Sequence, residues 1–182
     1  MFAHDTMTAI RNTTDLVNTQ AQGQETLPSV AALNQFLVGH EFAGRRRATR
    51  DDLIAVLSLR PRLRAGWQTC RAGELAALAN QLLYEADARP WLSNHDNWGW
   101  HLHVTHPEQP LAQRISAQAG MAFADIIRLD AMSRLHVCAG EACDAVLVDL
   151  SRNQSRIYCD SNGCGNRVHV ATYRARLQSL KG

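Results

Sequence analysis

The sequence predicts an α+β, mainly helical fold: a helical N-terminal domain with a few short strands, then a small C-terminal module of treble-clef-like order, hairpin followed by helix. Three observations predict it. Apolar residues recur at helical spacing through most of residues 28–129. The segment Trp91 to His106 switches to partial alternation and holds three of the four tryptophans and four of the eight histidines. The last quarter gathers Cys138, Cys143, Cys159 and Cys164 into two pairs, each with four residues between its members, and fifteen residues separate the pairs. The change of chemistry near residue 132 divides 1–132 from 133–182, with no flexible spacer, internal repeat or low-complexity linker.

The elements follow in order. Phe2 to Ile10 is too short a pattern to classify, and Gln20 to Glu25 is polar and reads as a loop. Pro28 is placed to start a helix, in which Val30, Leu33, Phe36 and Leu37 recur at helical spacing. Thr49 caps the next helix, with Asp51 and Asp52 in its first turn; Leu53, Val56 and Leu57 form its apolar face, and Pro61 limits or bends its end. A long helix is expected from about Trp67 to Ala88, ended by Pro90. Lone Cys70 falls within it and reads as a small buried apolar residue. Trp100 to His106 reads as a strand, and Pro110 opens a helix to roughly Leu129. In the C-terminal module, Arg134–Cys138 and Ala145–Asp149 read as strands, Ser151–Ser155 as a polar turn, Arg156–Cys159 as a returning segment, and Cys164 to Leu180 as a helix.

Composition bounds the function. Apolar residues make up 46% and charged residues 20%, enough for a core and against global disorder. No apolar run approaches the ~20 residues of a membrane helix, and no secretory signal is visible, so a bacterial-type cytoplasmic protein is the default. The net charge of +2 is unevenly spread: residues 1–133 carry net −1 and residues 151–182 carry net +5. The C-terminal segment therefore concentrates the positive field.

The cysteine quartet points to metal. About 45 residues bury too little apolar surface to fold alone, and four thiolates around one Zn²⁺ supply the missing cross-link. A closed four-sulfur shell describes a structural site, not a hydrolytic one. Redox thiols, an iron–sulfur cluster and incidental buried cysteines are the alternatives. The basic residues around the quartet suggest a polyanion. Arg167 and Arg174 share one helical stripe, and His169 and Arg176 another, with Val168, Thr172 and Ala175 between them to pack on the hairpin. Arg152, Asn153 and Arg156 sit at the expected hairpin turn, and Asn153, Gln154 or Asn166 can reach base edges. Few aromatics accompany them, which favours double-stranded DNA over single strands. The opposing reading is that these arginines neutralise the net −2 zinc–thiolate site or pair with Asp149 and Asp160.

Cys164-Gly165-Asn166-Arg167 resembles the bacterial CGNR zinc-finger family, as do Arg134–Cys138, Asp149–Arg156 and Ala171–Arg176. Asp15-Leu16-Val17-Asn18-Thr19 and Trp100-His101-Leu102-His103 resemble the ABATE domain usually joined to that finger. The resemblance covers nearly the whole chain. It implies zinc held by the four cysteines, DNA binding, and a stress-induced transcription regulator whose N-terminal domain senses a ligand.

In that N-terminal domain, Asp15, Asn18 and Thr19 face either a small-molecule effector or their own helix end. His95, His101, His103 and His106 read as structural or pocket-lining groups in preference to a second metal, and Trp91, Trp98 and Trp100 as core in preference to a ligand cage, with a pocket beside them. Arg45-Arg46-Arg47 reads as a solvated loop. Two other functions compete: an enzyme built on the His/Trp-rich segment, which lacks a nucleophile motif, phosphate loop or complete metal triad, and a zinc-dependent protein-interaction adaptor. A non-enzymatic reading is preferred. A homodimer would suit palindromic DNA.

Overall fold

The computed structural model describes residues 2–40, 42, 47–94 and 99–179, apart from the side chains of Ala175 and Ser179. Arg45, Arg46, His95 and Trp98 lie outside the described residues. The mainly helical α+β class is observed. Helix α1 (His4–Asn18) takes in both the unclassified first segment and the Asp15–Asn18 cluster. It buries Ile10, Leu16 and Val17. The hydroxyls of Thr13 and Thr14 donate to the carbonyls four residues back, at 2.7 Å each, so these buried polar groups are satisfied inside the helix.

The expected loop at 20–25 is instead a tight hairpin, β1 (Gln20–Ala21) and β2 (Gln24–Glu25). Its central residues, Gln22 and Gly23, have φ of 55° and 70°. Two consecutive positive φ values match the twist of antiparallel strands. Helix α2 (Val30–Gly39) starts one residue after Ser29, whose hydroxyl accepts from the Ala32 N–H. Helix α3 (Arg50–Gln68) opens on a reciprocal capping box between Thr49 and Asp52.

Pro61 does not end α3. The helix runs through it to Gln68, and the break falls at 69–71 before α4 (Ala72–Glu85). A proline inside a helix costs about 3 kcal/mol. Packing beyond it offsets that cost: Leu63 and Trp67 are buried, and the Trp67 ring meets Phe123 edge-on at 5.6 Å. Cys70, expected inside a helix and buried, sits in the break and is exposed.

Strands β3 (Trp91–Asn94) and β4 (Trp100–His103) pair antiparallel, with Leu92 opposite Leu102 and Ser93 opposite His101. Trp91 and Trp100 were expected in the core, yet they are 40% and 72% exposed because a two-stranded ribbon has no second layer to cover them. Helix α5 (Leu111–Arg128) begins after Pro110 and runs through the core with Ile115, Ala119, Phe123 and Ile126 buried. Its C-terminus passes through a short 3-10 turn into β5 (Leu135–Val137), which pairs with β6 (Val146–Val148).

The C-terminal module is attached by contacts as well as by chain. All three residues of β6 are buried, and Val146 and Val148 belong to the same apolar cluster as the helices. The expected strand return at Arg156–Cys159 is irregular chain, tied in by one backbone bond from Ala139 to the Ile157 carbonyl at 2.9 Å. Helix α6 (Cys164–Ser179) closes the fold. Val168 and Thr172, expected to pack on the hairpin, are exposed instead. Val146 and Val148 of the hairpin pack into the helical core, and Leu147 into the cysteine cluster.

Gly66 of α3 lies tight against α5: a Cβ there would lie 2.5 Å from the Phe123 ring. Gly66→Ala is expected to destabilise the chain by about 1–3 kcal/mol through overpacking, more than the roughly 1 kcal/mol that alanine's helix propensity returns. Equilibrium urea unfolding measures the balance.

Candidate metal centre and nucleic-acid interface

The turn between β5 and β6 is a cysteine knuckle that carries the first cysteine pair, between the two strands where the sequence places it. Cys138 leaves β5 and Cys143 precedes β6. Cys159 ends the irregular segment and Cys164 opens α6. All four thiols are buried, and their sulfurs lie within 4.8 Å of one another. The Cys143–Cys159 and Cys159–Cys164 sulfur separations are 3.8 and 3.7 Å. Disulfides would need about 2.05 Å. A tetrahedron with Zn–S bonds of about 2.3 Å has S···S edges of about 3.8 Å, so the quartet fits zinc.

The surroundings fit thiolates. The N–H groups of Gly140 and Cys159 donate to the Cys138 sulfur at 3.4 and 3.2 Å. The Asn162 amide donates to Cys143 at 3.6 Å, and the Arg167 guanidinium to Cys164 at 3.0 Å. A Cβ on Gly140 would sit 2.8 Å from the Cys164 sulfur, so only glycine lets the knuckle backbone approach. Burial pushes the Cys164 thiol up to about 12, reinforced by its three thiol neighbours. Burial also opposes ionisation of Cys143, but donors from Ala145 and Asn162 outweigh it and bring that thiol down to about 7. Ligation requires thiolates, so a divalent cation is what makes the four-anion state of this pocket stable.

Buried Asp149 organises the turn that follows β6. Its carboxylate accepts from the N–H groups of Ser151 and Arg156, both at 2.8 Å, while Arg134 donates to the Asp149 and Ser151 carbonyls. Burial raises the Asp149 pKa, but these hydrogen bonds and Arg134 dominate and leave it below the ordinary carboxylate value.

The chain matches the CGNR zinc finger over residues 134–177. It also matches the ABATE family, described as "Putative stress-induced transcription regulator", over residues 12–146, about three-quarters of its length. This chain belongs to the ABATE family. No curated protein matches it significantly. The two matched stretches overlap across β5, the whole cysteine-bearing turn and the first residue of β6, the strand at which the helices meet the finger. The four cysteines of this CGNR finger are thus a metal-binding cluster consistent with one structural zinc.

The expected DNA contacts divide into two groups. Arg167 is turned toward the Cys164 sulfur. Arg156 pairs with Asp160, and its side chain reaches the Tyr158 carbonyl. Both therefore have a contact within the finger itself. Arg152, Asn153, Asn166, His169, Arg174 and Arg176 are all exposed. Among the described residues no carboxylate pairs with Arg152 or Arg174.

The expected effector residues also divide. Asp15 meets Nε2 of His40 at 3.1 Å. Asn18 uses both amide atoms on the Val146 backbone, each at 2.8 Å. The Thr19 hydroxyl donates to the Leu16 carbonyl and accepts from Arg60. His101 and His103 lie far from these, against the opposite end of α1, where the Leu102 N–H donates to Asp5. Ten residues of helix between Asp5 and Asp15 span about 15 Å, so one small molecule does not bridge the two groups. The Nε2 atoms of His101 and His103 lie 3.1 Å apart, and Trp91 stacks on His103, while Trp100 lies on the other face of the ribbon. Among the described residues, the cysteine quartet is the one group of three or more metal-ligating side chains.

Sequence reading missed Gly140, Asn162 and two members, Arg11 and Thr14, of the α1 face formed by Arg11, Thr14, Asp15 and Asn18. The last was available as an i, i+3, i+4, i+7 polar pattern, but it required knowing that α1 extends to Asn18. These four residues form one wall of a cleft of about 430 Å³ whose other wall is the finger.

Two outcomes are expected. Metal analysis should find one zinc per chain, with Cys159→Ser losing it; Arg167→Ala should keep the ligands but weaken zinc retention about 10–100-fold in chelator competition. Asp149, whose folded pKa is lowered, contributes stability that is present above its unfolded value near pH 4 and is lost as pH falls through the folded value. Asp149→Asn should therefore be less stable than the parent at pH 7, and the gap should narrow in acid, as read by thermal unfolding between pH 3 and 7.

Proposed function

We propose that the protein is a DNA-binding transcription regulator, in which the zinc-organised module of residues 133–182 contacts duplex DNA and residues 1–132 sense a small molecule or partner. The observation that carries this is α6. It contains no acidic residue, and every described side chain from Asn166 onward is exposed. The helix presents Arg174, Arg176 and His169 to solvent, with Arg152 on the turn after β6 adding charge from the same module. A helix fits the major groove, where such side chains meet phosphates and base edges. The family description favours a regulator over an enzyme.

A second reading, a protein-interaction adaptor, draws on the same helix. Val170, Tyr173 and Leu177 are 40–63% exposed and fall at i, i+3 and i+7, a partly apolar stripe beside the arginines. Among the described residues, no helix is long and apolar enough to cross a membrane.

Genomic fragments selected by the zinc-loaded protein should bind with an affinity that falls steeply as salt rises. In anisotropy titrations Arg174→Ala should weaken binding and reduce the salt slope by about one unit. Because Arg167 reaches a zinc ligand, Arg167→Ala should lower DNA binding and zinc retention together, whereas Arg174→Ala lowers DNA binding alone. Unchanged DNA affinity in both variants would remove α6 from the interface and favour the adaptor.

A further inference from the structure

The cleft between α1 and the finger is built from both modules. Its floor is β6 with Leu150, and its rim carries Arg11 and Thr14 from α1 and Ser151, Arg156 and Asp160 from the finger. At about 430 Å³ it lies in the ordinary range for small-molecule sites, and polar residues outnumber the apolar ones of its floor.

Two arginines, Arg11 and Arg156, and two aspartates, Asp15 and Asp160, line it. Asp15 is spent on His40, and Asp160 on Arg156. Arg11 lies one helical turn from Asp15, yet among the described residues no carboxylate pairs with it. Arg11 therefore offers the cleft a guanidinium not engaged by a carboxylate, suited to grip a carboxylate or phosphate in two places.

We infer that this cleft binds a small organic anion, with its charged group on Arg11 and its body on the β6 floor. The inference deepens the effector-sensing reading above and rests on it for its regulatory meaning. Arg156 and Asp160 give the site an outlet. The same two residues line a second groove, beside Asn166 and His169 at the start of α6. An anion entering the first cleft competes with Asp160 for Arg156 and so acts on the segment that seats α6.

The test is an amide NMR titration of the zinc-loaded full chain with acetate, citrate and inorganic phosphate at constant ionic strength. Saturable shifts are expected at Thr14, Asp15 and Ser151 with at least one of these anions. Arg11→Gln should weaken that binding about tenfold, the loss of one charge-assisted contact. Shifts confined to the α6 arginines, no saturable shift with any of the three, or equal binding in Arg11→Gln would overturn the site. DNA affinity measured with and without the bound anion then tests the coupling. It should change in the parent and not in Arg11→Gln; an equal response in both would overturn the coupling. Failure of the chain to bind DNA would leave the NMR result standing, so the two readings fail separately.

Discussion

The outer edge of β6 is the constraint on which the molecule depends. A two-stranded sheet pairs only half of its strand edges, and a buried strand must satisfy the remainder elsewhere. Here the remainder falls on side chains of the helical domain. Asn18, the last residue of α1, pairs with both the N–H and the C=O of Val146. The Trp67 indole donates to the Leu147 carbonyl at 3.0 Å, and Arg64 to the Asp144 carbonyl at 2.6 Å. These bonds seal an edge that also buries Val146 and Val148 against the helices. One strand is thus shared between the helical core and the metal module, and neither is complete without it.

The shared strand also explains how so small a finger orders so much irregular chain. Between β6 and α6 there is no helix or strand, only the Asp149-centred turn and the approach to Cys159. Asp149 fixes the first part and the thiolate cluster fixes the second. Cys164 ties the N-terminus of α6 into that cluster, where the helix dipole and Arg167 both favour a thiolate. Beyond its first turn α6 has almost no buried surface. An isolated helix of this length is marginal in water. Its order rests on the anchored N-terminus, and its exposed side chains are available to whatever it binds.

Much of this was legible in the sequence, for identifiable reasons. The cysteine spacing, the Pro110 start of α5 and the Thr49 cap are local signals, and each was read correctly. The misreadings arose where tertiary contacts overrode local ones. Pro61 marks an end by its own chemistry, but Trp67 and Leu63 hold the helix through it. The segment Arg156–Cys159 reads as a returning strand, but there the Asp149 carboxylate and the Cys138 sulfur, not a strand ladder, take up the Arg156 and Cys159 N–H groups. Asn18 and Arg167, candidate ligand and DNA contacts in the sequence, are a different case, since the fold gives each an internal contact without deciding its other role. Each had an equally polar partner inside the chain, a strand edge for one and a zinc-site sulfur for the other, and only the fold brings those partners within reach.

That last distinction bears on control. Residues dedicated to joining the two modules, such as Trp67, cannot also report on a ligand without loosening the core. A signal between the modules must use groups that are polar, near the seam and held by exchangeable contacts. Arg156 meets those conditions. Its backbone is fixed by Asp149, while its side chain is held through Asp160, an aspartate that is 86% exposed and easily displaced. Exposed ion pairs of this kind contribute little to stability, on the order of 0–1 kcal/mol, so exchanging one for a ligand contact costs the fold little. A rigid strand with a labile ion pair beside it lets the helical domain hold the finger firmly and still influence the segment that leads into α6.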